Sequence, residues 1–245
     1  MLTVGVDLAA EAVRTAVAAI RWEPSGATVC DLLAGADDEA IVAAVSRADK
    51  AGIDCPFGWP DAFVAFLAEH RAGHVVAPED VAGRDWRRRL ANRVTDLEVR
   101  RHTGLVPLSV AADRIGYPAM RCAGLLARLA DDGFAVDRDG SGLVVEVYPA
   151  AALHGWGLPH RGYKGGLNLG ALVDRLTAAA PWLALGRYTD LCRTSHDALD
   201  AVVAALVARA AALDLVTRPD AGQAGPAATE GWIALPTGPL AKLRP

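Results

Sequence analysis

The chain has 245 residues, 52% of them hydrophobic, and a formal net charge of −4. That is enough length and apolar content for one large folded domain, and it excludes a disordered chain. The mild acidity excludes a global charge for nucleic acid, so any such site must be a local patch. No apolar run reaches the roughly 20 residues needed to span a bilayer. The longest candidate, residues 198–213, carries Asp200 and Arg209 inside it. The N-terminus shows no basic region followed by an apolar one. A cytoplasmic protein without a membrane partner is therefore expected. Cys30, Cys55, Cys122 and Cys192 are scattered and form no CxxC pair, which argues against zinc and, in that compartment, against disulfides.

Residues 2–8, 12–20 and 27–33 read as three strands joined by short polar links at Glu11 and at Pro24, Ser25 and Gly26, as in antiparallel hairpins. Residues 37–49 begin with acids and carry an apolar stripe at Ile41, Val42, Val45 and Ala48, so a helix is predicted. Residues 51–54 form a short buried strand that returns parallel to the first, stopped by P-F-G-W-P. Three strands, a helical crossover and a parallel strand predict a mixed α/β sheet. About 60–132 reads as a mainly helical insertion, with breaks near Gly73, Gly83, Gly104 and Pro107. Residues 143–149 are a further strand, 168–180 and 195–213 are helices, 217–229 is a loop and 230–236 a final short strand. No internal repeat or linker divides the chain, so a single domain over 1–245 is expected.

The first strand ends on a charge, Asp7. An unpaired buried carboxylate costs several kcal/mol, so Asp7 needs an arginine, backbone N–H groups or a metal ion. Asp54 ends the fourth strand, Glu146 lies in the strand V-V-E-V-Y-P, and Asp197 and Asp200 begin a long helix with Ser195 as its predicted N-cap. The i, i+3 spacing puts both acids on one side of that helix. A helix packed on the sheet could bring them to Asp7 and Asp54. Four gathered carboxylates raise one another's pKa, and a divalent cation removes that conflict. Hard oxygen ligands without a Cys or His pair favour Mg²⁺ or Mn²⁺. Taken singly, each acid reads equally well as a turn or helix cap, and Glu146 as an arginine's partner.

That combination resembles the RNase H-like superfamily, whose nucleases carry an Asp on the first strand, an acid on the fourth and one or two acids on a late helix. More narrowly, the chain resembles domain-of-unknown-function family 429, described as predicted nucleases with an RNase H-like fold. The matching motifs are G-V-D-L-A (5–9), I-D-C-P-F-G-W-P (53–60), R-V-T-D-L-E-V-R (93–100), E-V-Y-P-A-A-A-L (146–153), Y-K (163–164), H-D-A-L-D-A (196–201) and E-G-W-I (230–233). The resemblance implies an RNase H-like mixed sheet. It also implies a metal-dependent nuclease hydrolysing phosphodiester bonds of DNA or RNA by a two-metal mechanism. Asp7, Asp54, Asp197 and Asp200 would be its catalytic metal ligands, the last two resembling the pair in RuvC-type junction resolvases. Glu146 has no counterpart in the minimal nuclease set.

Residues 84–101 hold seven arginines against three acids. They suit phosphate contacts, or equally a solvated helix face with Arg/Asp pairs. Arg93 is an expected phosphate contact or a partner of Asp96 at i, i+3. Lys164, on a turn before Gly165 and Gly166, could reach a phosphate, and Trp59 in the loop after Asp54 could stack on a substrate or pack in the core. His196, Asp96 and Glu146 are placed around the acids, His196 as a candidate general acid or base or equally as a surface histidine at the first helical position. Two other functions stay open. An actin or sugar-kinase-like enzyme would need a second, D-x-G-G type phosphate turn, which is not evident. A non-catalytic nucleic-acid or protein-binding module would bind without turnover.

Overall fold

The computed structural model describes residues 1–76, 78–81, 83–165 and 168–245. Among these residues it is a mixed α/β protein. The strands are β1 (Leu2–Asp7), β2 (Ala16–Glu23), β3 (Gly26–Ala34), β4 (Lys50–Asp54), β5 (Val144–Glu146) and β6 (Leu183–Ala184), in the sheet order β5-β4-β1-β2-β3-β6. β1, β2 and β3 form an antiparallel meander, and β4 lies parallel to β1 with Asp7 opposite Asp54. Both features match the sequence expectation.

Several boundaries differ. Residues 12–14 form a 3₁₀ turn, and β2 runs on through Arg21, Trp22 and Glu23, paired with β3 down to Gly26. The strand predicted over 143–149 stops at Glu146, and Pro149 opens helix α6 (Pro149–Gly155), where its missing N–H costs nothing. Within 217–229, Ala224 starts the short helix α10 (Ala224–Glu230). The final strand is reduced to isolated bridges, Ile233 to Glu146 and Pro236 to Val216. The helical stretch 60–132 contains α2 (Asp61–Ala72), α3 (Arg84–Ala91), α4 (Val94–Thr103) and α5 (Gly116–Asp131). The other helices are α1 (Asp38–Val45), α7 (Leu169–Ala179), α8 (Thr189–Thr194) and α9 (His196–Ala212). Among the described residues no helix is long and apolar enough to cross a membrane.

Side-chain alternation divides the sheet into two faces. Val4, Val6 and Ile53 enter one core with Ile41 and Val45 of α1 and Leu125, Leu126 and Leu129 of α5. Gly5, Asp7, Gly52 and Asp54 belong to the other face, which α9 covers. α9 is buried nearly all round, from Ala198 to Ala208, as its uninterrupted Ala/Val/Leu composition requires.

The glycines set how close α9 comes. A Cβ at Gly5 would stand 2.0 Å from the carbonyl oxygen of Ala201, and one at Gly52 2.5 Å from that of Ala204. Backbone atoms cannot rotate away, so even alanine at Gly5 must push α9 off the sheet. Overpacking typically costs about 1–3 kcal/mol, and a rigid backbone obstacle belongs at the upper end. Gly5→Ala is expected to lower the melting temperature by about 6–12 °C, from about 3 kcal/mol at 2–4 °C each. A thermal melt within 2 °C of wild type, or about 0.5–1 kcal/mol, would show that α9 is free to shift.

Candidate functional site

The repeated Gly-x-Asp of β1 (Gly5-Val6-Asp7) and β4 (Gly52-Ile53-Asp54) does two things in register. The glycines admit α9, and two residues on, still on the same face, the aspartates stand at the carboxyl ends of adjacent parallel strands. Strands in a sheet lie about 4.8 Å apart, so the two carboxylates are neighbours. α9 delivers the third acid. Asp200 precedes Ala201, the residue seated over Gly5, and its side chain is fully buried.

Asp200 is held from both oxygens. The Tyr163 hydroxyl donates to Oδ1 at 2.8 Å, and Lys164 Nζ lies 2.7 Å from Oδ2. Burial works against the Lys164 charge, but Asp200, Asp54 and Asp7 outweigh it and hold its pKa above the ordinary lysine value. The acids are pushed the other way. Asp54 is raised to about 7 by burial and then by Asp200 and Glu146, with Lys164 opposing. Asp7 is raised well above the ordinary carboxylate range by burial, then by Asp54 and Asp200. Asp200 is also raised, by burial, against the pull of Lys164.

These shifts have a definite sign in stability. A carboxylate whose folded pKa exceeds its unfolded value stabilises the fold below the unfolded pKa. That contribution disappears as pH rises through the folded one. The metal-free protein is therefore expected to lose stability between about pH 4 and pH 7, the interval from the ordinary aspartate value to that of Asp54. Asp54→Asn should flatten the slope. Melting temperatures across that range check this, and a rise with pH that Asp54→Asn leaves intact would contradict it.

The other sequence candidates fall into separate groups. Asp197 faces the rim of the site, 3.3 Å from Arg14 Nε and with His196 Nδ1 2.8 Å from its Oδ1. It is near enough to raise Asp7, though less than Asp54 or Asp200 does. His196 also reaches the acids, since one ring nitrogen and carboxylate oxygens of Asp7 and Asp200 all lie within 4.8 Å of one another. Arg93 sits 2% exposed in a closed network. It makes paired bonds to Asp96 (2.9 Å) and Glu146 (2.7 and 2.8 Å) and a further one to the Glu230 carbonyl. Glu146 belongs to this network because it pairs with Ile53, not Asp54, and so projects from the opposite face of the sheet. Its remaining partner is the Phe57 N–H at 3.0 Å. Glu230 caps two helices, accepting from the N–H groups of Asp61 and Val94. Trp59 packs partly buried on the core beside α1 and α5.

Beside the acids opens a cleft of about 510 Å³. Asp7, Asp54, Tyr163 and Lys164 line it, and Leu8, Pro107, Leu108, Ile115, Pro118 and Tyr148 supply apolar lining. The acids thus lie beyond the carboxyl ends of parallel strands, where open α/β sheets bind ligands. The family described as "Protein of unknown function (DUF429)" matches residues 5–224, which include all these acids and the Tyr163-Lys164 pair. The chain belongs to the DUF429 family. No curated protein and no solved structure matches it.

Two features of this DUF429 site carry little signal in the sequence. In the sequence Tyr163 stands out only as the neighbour of Lys164, whereas its hydroxyl is committed to Asp200. The cleft's apolar wall comes from the 107–118 segment, which reads as a break between helices. The repeated Gly-x-Asp was a readable signal for the α9 contact, because glycine inside a strand marks close backbone approach.

Proposed function

We propose that this protein is a metal-dependent nuclease on an RNase H-like sheet. One observation carries the reading: Asp7, Asp54 and Asp200 meet beside a cleft although they come from a first strand, a parallel fourth strand and a late helix. The strand order β3-β2-β1-β4-β5, with the meander antiparallel and β4 parallel to β1, supports the fold assignment. The donor set fits a hard cation: carboxylate oxygens, crowded enough to raise their pKa values, with one imidazole within reach. Asp7 and Asp200 would hold the ion with His196 as third donor and Asp54 alongside. Asp197, turned to Arg14, favours a single principal ion over a symmetric pair.

Bound Mg²⁺ or Mn²⁺ would supply Lewis-acid charge to a phosphoryl oxygen and lower the pKa of a water. The protein's own groups do the rest. Tyr163 and Lys164 fix the Asp200 carboxylate, and the Lys164 ammonium offsets the anionic charge that would otherwise repel a phosphodiester. Asp54, whose pKa burial and the neighbouring Asp200 and Glu146 raise to about 7 in the metal-free site, would add a further oxygen donor once a cation offsets that crowding.

The test is direct. Protein given millimolar Mn²⁺ and end-labelled DNA and RNA, single- and double-stranded, should cut at least one of them, and EDTA should stop it. No cleavage of any substrate, together with no Mn²⁺-induced rise in melting temperature, would refute the proposal.

A further inference from the structure

The substrate class can be narrowed, on the footing of the nuclease reading. The cleft's lining is largely apolar beside the acids, and about 510 Å³ is the size that takes one small organic ligand (roughly 300–1,000 Å³). A phosphodiester alone would leave those walls facing water or anionic oxygen. A base pair in a duplex offers its flat faces only to its own stack. An unstacked base offers an apolar face and polar edges, and aromatic or apolar side chains take it up by stacking.

A second groove adjoins the first. Arg84, Arg88 and Arg100 line it, all exposed, together with Asn92 and Val106. Val106, 61% exposed, sits on the basic side, and Pro107 and Leu108, the latter 49% exposed, form a wall of the acidic cleft. The Val106–Leu108 segment is therefore the common rim of a basic groove and an apolar cleft. The floor beneath both is the same network, since Asp96 lines one and Arg93 and Glu146 line the other.

We propose that the cleft receives one unstacked nucleobase of a single-stranded nucleic acid, placing its phosphodiester at Asp7 and Asp54, which line the cleft in front of the buried Asp200. The adjoining sugar–phosphate backbone crosses the Val106–Leu108 rim onto the arginines of α3 and α4. The arginines neutralise phosphates, the apolar wall selects an unpaired base, and the acids meet the bond next to it.

The experiment uses the full chain in millimolar Ca²⁺ and fluorescence anisotropy. The probes are a 20-nucleotide single strand, its blunt duplex, and the same strand with a central run of abasic sites. The single strand should bind at least tenfold tighter than the other two. Leu108→Asp should weaken single-strand binding at least tenfold and Leu108→Ala less, both with an unchanged melting temperature. Arg88→Ala combined with Arg100→Ala should flatten the salt dependence. Equal binding of the duplex or the abasic strand, or no loss in Leu108→Asp, would overturn the inference. The two readings fail separately. Asp7-dependent cutting of duplex with Mn²⁺ and no single-strand preference would leave a nuclease and remove the unpaired base. Single-strand binding with the stated pattern, but no cleavage under Mn²⁺, would keep the cleft assignment and remove the nuclease.

Discussion

Asp7→Asn is expected to lower phosphodiester hydrolysis about 1,000-fold or more, equivalent to about 4 kcal/mol of transition-state stabilisation. The same substitution should leave the metal-free protein as stable as wild type or more so. Asp7 is raised well above the ordinary range by burial and by its neighbours Asp54 and Asp200. An isosteric neutral amide keeps its shape and removes a repelling charge. Added Mn²⁺ should raise the wild-type melting temperature and that of the variant much less, because binding to the folded state alone stabilises it. The pairing of results matters. If Asp7→Asn unfolded the protein while Mn²⁺ left wild type unmoved, Asp7 would be a structural partner of Lys164, and the nuclease proposal would lose its centre.

Arg93→Ala should be the most damaging substitution to the fold. Burial opposes the Arg93 charge, yet Glu146 and Asp96 outweigh it and raise its pKa above the ordinary value. Removing the guanidinium leaves two carboxylates in the interior, 2% or less exposed, with their principal partner gone. Breaking a buried ion pair from one side costs about 3–5 kcal/mol, or about 6–20 °C in melting temperature at this size. A compensated triple variant, Arg93→Met with Asp96→Asn and Glu146→Gln, should recover a large part of that loss, since it removes the stranded charges along with their counterion. If Arg93→Ala melts within 2 °C of wild type and instead only weakens nucleic-acid binding, the guanidinium is the phosphate contact that its sequence suggested.

The meander, the crossover helix and the parallel return of β4 were legible because short links and apolar runs leave few topologies. Asp7 and Asp54 were legible for the same reason. Asp200 and Asp197 could not be told apart. Their spacing puts both on one side of α9, but that helix is apolar all round and carries no stripe to fix which side meets the sheet. Arg93 was ambiguous because its pairing to Asp96 is local while its pairing to Glu146 spans 53 positions. Side-chain alternation decided the fate of Glu146: one residue of register separates it from Asp54 and sends it to the other face. Lys164 has no periodic signal, since it sits on a 3₁₀ turn, and only the packed structure brings it to Asp200.

The glycine cradles of β1 and β4 also bear on how the chain comes to be folded during synthesis. Gly5 lies near the N-terminus, and the helix segment that fills its cradle is centred on Ala201 and Ala205. At about 5–20 residues per second, a ribosome takes roughly ten to forty seconds to make the chain between them. Once β2 and β4 have been made, for most of that interval, the central strand has its neighbours but no cover over one face, and the strands around it remain open to other nascent chains. Such non-local pairing is slow and exposed to aggregation. A fragment ending before α9 is accordingly expected to bind a chaperone or precipitate. The last long helix, when it arrives, would close the sheet and complete the acid cluster in the same event.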